Sequence, residues 1–432
     1  MTGGLRFPDG FLWGTATSAH QVEGGPAEND WSVWERTPGR IRDGSSARVA
    51  CDWWNRAEED FALAARLGTN ALRFSVEWSR VEPEEGRFDD DALARYRGWA
   101  ERLRSLGLEP VVCLHHFTLP RWLAARGGFE RPGAVDRFAR YADRVAETMA
   151  GLVRWWITVN EPMVYVALGW FQGVWPPGKR SLPDALRVAR NLVRAHGAAH
   201  RLLHRRIPDA MVSAGHHVAS FVPADPRSPL DRGVAALREW LLDRVWLEAT
   251  LDGRMRPPLG AFEKVEDAQD SHDYLGFQHY FTYPVAFSLA HAGNLFAREA
   301  HRPREGVPPF MGEFRAEGLG AWARDLRRYG RPLLVTENGL LENEERERPA
   351  WLVRALASLH GAIADGVDVR GYLHWSLVDN FEWAEGLGAR FGLVHVDFAT
   401  QARTVKESGR LYGEIARANG VPARLVPPPA PR

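Results

Sequence analysis

Eight short apolar runs recur along the chain, each separated from the next by a longer stretch, and this alternation restricts the fold more than any other feature. The runs are Phe11–Thr17, Ala71–Trp78, Glu109–His116, Arg154–Asn160, Met211–Val218, Tyr274–Tyr280, Pro332–Asn338 and Val369–Leu377. Between them lie helical patterns such as Arg56–Leu67, Ala92–Leu106, Ala134–Met149, Pro183–His204, Gly233–Thr250 and Trp351–Asp365. Runs of strand length alternating with amphipathic stretches indicate parallel βα units. A right-handed series of eight such units closes into an α/β (β/α)8 barrel. The 432 residues contain no internal linker, so one barrel domain is expected over 1–420. Residues 421–432 read as a Pro-rich, disordered tail. The stretch from about 282 to 320 lacks periodicity and is expected to be a long loop on the active-site face.

The ends of the runs carry residues that a core does not need: Glu77, His115 and His116, Asn160 and Glu161, Gln278 and His279, Glu337 and Asn338, and His374. Polar groups at the carboxyl ends of barrel strands mark the catalytic mouth of this architecture. Ordinary strand-to-loop transitions would scatter charges without concentrating carboxylates and amides there.

Two of these residues suit glycoside hydrolysis. Glu161 ends the fourth run and Glu337 the seventh, on strands expected to face each other across the barrel. One carboxyl must protonate the leaving oxygen while the other attacks the sugar or activates water. A carboxyl separation of about 5–5.5 Å gives retention and about 6.5–9.5 Å gives inversion. Spacing along the chain leaves both outcomes open. Arg73, at the end of the second run, is placed to hold one glutamate ionised. The like charge would then raise the pKa of the other. Eighteen tryptophans, several beside charged or amide residues (Trp53–Trp54–Asn55, Glu77–Trp78, Glu382–Trp383), add aromatic faces of the kind that bind sugars.

Five motifs in this order resemble glycoside hydrolase family 1, the β-glucosidase family: Phe11–Gly24, Arg73–Arg80, Asn160–Pro162, Thr336–Gly339 and Trp375–Glu385. The resemblance runs from Phe11 to about Leu411. It implies a retaining β-glycosidase with Glu161 as acid/base and Glu337 as nucleophile. By the same resemblance, Arg73 and Tyr280 position the nucleophile. Asn160 meets the sugar 2-hydroxyl, and Gln21 and His116 meet the 3- and 4-hydroxyls. Trp375 lies under the ring, and Glu382 and Trp383 read the 4- and 6-hydroxyls. Terminal β-glucosyl groups, with galactosyl and fucosyl groups beside them, are the implied substrates. Departures from the family pattern fall at Met163, at Gln278–His279–Tyr280, at Phe117–Thr118 and at Glu313, and bear on the aglycone side.

Adjacent strand residues point to opposite faces, so only one of His115 and His116 can line the mouth, and the motif selects His116. No function is assigned to His216 or His217. No His/Cys/Asp cluster shows metal-ligand spacing, and neither a metal nor another cofactor is expected. The expected partners are small β-glycosides or oligosaccharides. The net charge is zero and the pI near 7.3, which gives no reason to expect nucleic acid or a membrane surface. Two cysteines exclude a disulfide framework, and no apolar run reaches membrane-span length, so a cytoplasmic location is expected. The arginine-rich segment Arg201–Arg206 reads as a solvated helix face.

Three other readings are weaker. A 6-phospho-β-glycosidase would have to place its phosphate beside Glu382, whose carboxylate repels it. A non-catalytic sugar-binding barrel would not need both glutamates. Gly173–Lys179 has part of a phosphate-loop spacing, but Arg180 stands where Ser or Thr is required and two prolines remove backbone donors.

Overall fold

The computed structural model describes residues 3–25, 27–301, 307–308, 311–342 and 345–426. Eight parallel strands close into a barrel. They are β1 (Leu12–Ala16), β2 (Ala71–Ser75), β3 (Glu109–His115), β4 (Trp155–Asn160), β5 (Met211–His217), β6 (Leu275–Gln278), β7 (Leu333–Glu337) and β8 (Val369–Trp375). Neighbours in the barrel follow chain order, and β8 closes on β1. Strand β8 therefore stands opposite β4, and β7 lies one place short of facing it. That corrects the expectation of opposed fourth and seventh strands, although both carboxyl ends still open onto one mouth.

Side chains alternate between two cores. Ala71, Val111, Cys113, Trp155, Ile157, Leu334 and Leu373 fill the barrel interior. Leu72, Phe74, Val112, Leu114 and Trp156 face the surrounding helices. Strands buried on both faces must be apolar almost throughout, which is why the runs are continuous in the sequence.

The helices begin and end where local chemistry stops them. The Asp89 carboxylate accepts from the Ala92 N–H at 2.9 Å and starts Asp90–Ser105. Ser181 caps Leu182–Arg206, and Gly68 ends Trp53–Leu67 in the left-handed region at φ 92°. The single helix expected over Gly233–Thr250 is instead Pro229–Glu239 and Val245–Asp252, joined by a π-helical turn over Trp240–Arg244. A second π turn spans Ala167–Phe171.

The stretch expected to be one long loop contains two strands. Thr282–Phe287 pairs in parallel with Ser220–Pro223 and antiparallel with Ala297–Glu299, which supplies the backbone partners that an irregular loop would lack. The expected tail also starts too early. Gly420–Val421 pairs with Leu5–Arg6, and Ala423–Leu425 forms a 3-10 turn, because Val421 is buried in the helix-side core. Residues 427–432 of that expected tail lie outside the described residues. Among the described residues, no helix is long and apolar enough to cross a membrane.

Candidate active site

Register breaks aim two residues at the mouth. The pairing of β4 with β5 shifts between Ile157 and Asn160. Ile157 faces the interior, Val159 joins the helix-side core, and Asn160 turns back inward. The pairing of β6 with β7 shifts between Phe277 and Gln278, so Gln278 pairs with Glu337 and skips Thr336. Bulges of this kind re-aim side chains beside active sites.

Glu337, 4% exposed, is held on both oxygens. Arg73 Nη1 donates to Oε1 at 2.5 Å, Gln278 Nε2 to the same oxygen at 3.1 Å, and Tyr280 Oη to Oε2 at 2.8 Å. Burial pushes this carboxyl up to about 7, against the pull of Arg73, with the Glu161 charge adding to the rise. The other guanidinium nitrogen of Arg73 donates to Asn160 Oδ1 at 2.6 Å, and Gln278 Nε2 reaches the same oxygen at 2.7 Å. Asn160 Oδ1 thus takes two donors, which leaves its amide nitrogen to face His116 Nε2 at 3.1 Å. Burial and the nearby Arg73 charge hold His116 well below the usual histidine range, so it is neutral. Arg73 is centred on β2, not at its end as the sequence suggested, and is wholly buried beneath the mouth.

Glu161 follows β4 with φ 41°, in the left-handed region that a side-chain-bearing residue adopts at a cost. Two backbone bonds hold it there: its N–H donates to Gly215 O at 2.7 Å, and its carbonyl accepts from Tyr165 N at 3.0 Å. Its Oε1 lies 3.1 Å from His217 Nδ1, and the His217 ring stacks near Tyr280 at 6.3 Å between centroids.

A third sector holds Gln21, Glu382, Trp375 and Trp383. Gln21 Nε2 donates to Glu382 Oε2 at 3.2 Å and to Asn380 Oδ1 at 3.1 Å, and Gln21 Oε1 accepts from Ser18 Oγ. Burial and then the Glu337 charge push Glu382 up to about 8, while Trp375 and Gln21 donate to it and oppose the rise. The His116 ring stacks parallel to both Trp375 and Trp383, 5.8 Å from each.

Of these groups His116, Glu161, His217, Tyr280, Glu337, Trp375, Glu382 and Trp383 line one cavity of about 230 Å³, while Gln21, Arg73, Asn160 and Gln278 stand behind its lining. Glu161, Glu337, Glu382, His116, Trp375 and Trp383 form its polar part. The rest is largely apolar and includes Met163, Leu168, Phe221, Leu242, Phe281 and Met311. Both π turns contribute to that apolar wall, through Ala167, Leu168 and Leu242. The family model described as glycosyl hydrolase family 1 matches residues 4–421.

The chain belongs to glycosyl hydrolase family 1. Beta-glucosidase A of Thermotoga maritima is 32% identical to it over 444 residues, covering 96% of this chain and 99% of the relative. Thermostable beta-glucosidase B of Thermobispora bispora is 34% identical, covering 97% and 92%. Among solved structures, a beta-glycosidase from Pyrococcus horikoshii superposes with a TM-score of 0.90 at 37% identity, over 98% of this chain and 97% of that one. The Thermotoga maritima beta-glucosidase in complex with glucoimidazole gives 0.91 at 30% identity, over 96% and 100%. The chain is thus a family 1 glycoside hydrolase acting on β-glycosides.

Within this family 1 barrel, not every polar strand end reaches the cavity. His115 packs edge-on against Phe129 and Tyr165. His279 Nδ1 meets Val218 O, and His374 sits against Tyr372 and Tyr412. Glu77 caps the short helix Trp78–Val81 and accepts from Thr118 Oγ1. Of the tryptophan-rich neighbourhoods, only Glu382–Trp383 lines the cavity. Trp53 donates to Asp60, and Trp78 stacks on Tyr141, both in the helix-side core. Lys179 of the glycine-rich segment is bound by Glu130 at 2.7 Å. Glu313 pairs by backbone with Thr282 and turns its side chain to Arg315.

Two residues of the site carry no role in the sequence reading. Gln278 stands out there only as a polar run end and as a departure from the family pattern. His217 is legible as the next-to-last residue of its run, yet carries no motif. The expectation that no cluster has ligand spacing also needs correction. His200, His204 and Asp273 bring potential ligand atoms within 4.8 Å of one another, away from the cavity. The helix turn that unites the two histidines is visible in their spacing, but Asp273 arrives only through the fold.

Proposed function

We propose that this family 1 enzyme is a retaining exo-β-glycosidase that removes terminal β-glucosyl groups, and with them β-galactosyl and β-fucosyl groups. The observation that carries the reading is the Glu337 carboxylate, gripped on both oxygens by Arg73, Gln278 and Tyr280. A carboxylate fixed by three protein donors has its orientation set in advance for attack on an anomeric carbon.

In the first step a Glu337 oxygen bonds to C1 while Glu161 gives its proton to the departing glycosidic oxygen. The ester so formed removes the negative charge next to Glu161. Glu161 then takes a proton from water as the water oxygen attacks C1, and the C1–Glu337 bond breaks. In this reading Asn160 meets the 2-hydroxyl, Gln21 and His116 the 3- and 4-hydroxyls, and Glu382 and Trp383 the 4- and 6-hydroxyls; the hydrogen bonds joining Asn160 to His116 and Gln21 to Glu382 support it. Trp375 supplies the apolar platform.

The cavity argues against the phosphorylated-sugar reading. Five carboxyl side chains line it, those of Glu161, Glu299, Glu337, Glu382 and Glu385, and the raised pKa values of Glu337 and Glu382 mean that the cavity already resists further negative charge; its single guanidinium, Arg238, is paired with Glu299 at 3.2 Å. We place the enzyme in the cytoplasm, a reading supported by two cysteines that are both buried and unpaired.

The test is the initial rate on p-nitrophenyl β-glucoside, β-galactoside, β-fucoside, β-mannoside and the 6-phosphates, with NMR of the first anomer released. A β-anomer from an unphosphorylated glycoside is expected. An α-anomer, or turnover of 6-phosphates alone, overturns the reading.

A further inference from the structure

The helix Leu182–Arg206 carries histidines at positions 196, 200 and 204, one per turn on a single face. The inner part of this column is core. His196 Nδ1 bonds Thr158 Oγ1 at 2.6 Å and its ring stacks on His272, centroids 4.5 Å apart. His272 is satisfied at both nitrogens, by Ser213 Oγ and Thr250 Oγ1. Burial holds His196 and His272 well below the usual histidine range.

The outer end is different. His204 Nε2 lies 2.9 Å from Asp273 Oδ2, and His200 Nε2 lies 3.7 Å from the same oxygen. His200 Nε2 is buried and makes no hydrogen bond. The Val212 N–H donates to Asp273 at 2.8 Å and fixes the carboxylate in place. All three side chains keep partial contact with solvent, between 14% and 30% exposed.

We infer that His200, His204 and Asp273 form a binding site for a divalent transition-metal ion of the zinc type. Zinc with imidazole and carboxylate ligands is tetrahedral with bonds of about 2.0–2.2 Å, which separates ligand atoms by about 3.3–3.5 Å. The two contacts to Asp273 bracket that spacing, and all three ligand atoms lie within 4.8 Å of one another, so side-chain rotations bring them onto one ion. Two imidazoles one helical turn apart plus a carboxylate match the ligand preference of zinc over magnesium or calcium, which favour oxygen. The open side leaves the fourth position to water. The backbone bond from Val212 is the outer support that orients a ligating carboxylate.

The site stands at the opposite end of β5 from His217: Val212 is the second residue of that strand, and His217 ends it at the mouth. Conserving the fold, not turning over substrate, is therefore its role. The ion ties the last turns of the helix to the segment that leads into β6.

The experiment is calorimetric titration of the metal-free full chain with zinc chloride, with cobalt(II) absorption as a coordination readout. One ion per chain is expected, with tetrahedral cobalt bands. The melting temperature should rise by about 3 °C at a hundredfold excess over Kd. His204→Ala and Asp273→Asn should each weaken binding at least ~10–100-fold. Asp273→Asn keeps an acceptor for Val212, so its metal-free melting temperature controls for a merely structural change. Absence of stoichiometric binding, or equal binding by the variants, overturns the site.

Discussion

Arg73 and Glu337 stand 264 residues apart in sequence and meet at 2.5 Å beneath the cavity, where the guanidinium also holds Asn160 Oδ1. One buried cation thereby fixes the proposed nucleophile and the amide next to the proposed acid in a single network. Within it, Glu337→Gly is expected to abolish turnover, because it removes the carboxyl that Arg73, Gln278 and Tyr280 hold in place. Added azide or formate should restore part of the rate with inverted product, read by NMR; rescue with retained product would contradict the assignment.

Tyr280 donates to Glu337 Oε2 and lowers the pKa of that carboxyl. Tyr280→Phe removes a charge-assisted hydrogen bond, so kcat should fall about 10–100-fold. Without the donor the Glu337 pKa rises, and the acidic limb of the kcat/KM profile should move to higher pH. A fall in rate with an unmoved limb would show that the hydroxyl acts elsewhere.

Glu161→Ala should cost poor alkyl leaving groups on the order of 10²–10⁴ in rate while sparing activated aryl ones. His217→Phe, which loses the 3.1 Å contact to Glu161 and keeps a ring beside Tyr280, should show the same selectivity more weakly. Equal losses on both leaving-group classes would remove Glu161 from the acid role.

Glu382 has its carboxyl pushed up to about 8 from an ordinary 4.5. A raised carboxyl pKa means the folded state binds the proton more tightly than the unfolded chain. Its stabilising contribution is complete below about pH 4.5 and is lost as pH rises towards 8. Glu382→Gln should therefore raise the melting temperature relative to the parent at pH 8.5 and change it little at pH 4.5. The same difference at both pH values would refute this linkage.

Gly215 carries no side chain where one would collide with the site. A Cβ there would lie 2.8 Å from Gln278 Nε2 and 2.9 Å from Asn160 Oδ1. Gly215→Ala should displace both amides and cost about 10²-fold in kcat with the barrel intact by circular dichroism. Unchanged kcat would mean that the amide network does not position the reacting groups.

The eight runs were legible because strands buried on both faces must be apolar, and their βα alternation admits few topologies. The two glutamates stood out as carboxylates at run ends, as did Asn160 and Arg73 through their motifs. Which polar end reaches the cavity was not legible. Strict alternation from Ile157 would turn Asn160 toward the helices, and from Leu334 would do the same to Glu337. The register shifts in β4 and at the β6–β7 pairing reverse both. Such shifts depend on how neighbouring strands pair, which no single run encodes. The same holds for His217 against Glu161, and for Asp273 beneath His200 and His204. Residue type and local period belong to the sequence. Convergence of side chains from separate strands belongs to the closed barrel, because only closure fixes the distances between them.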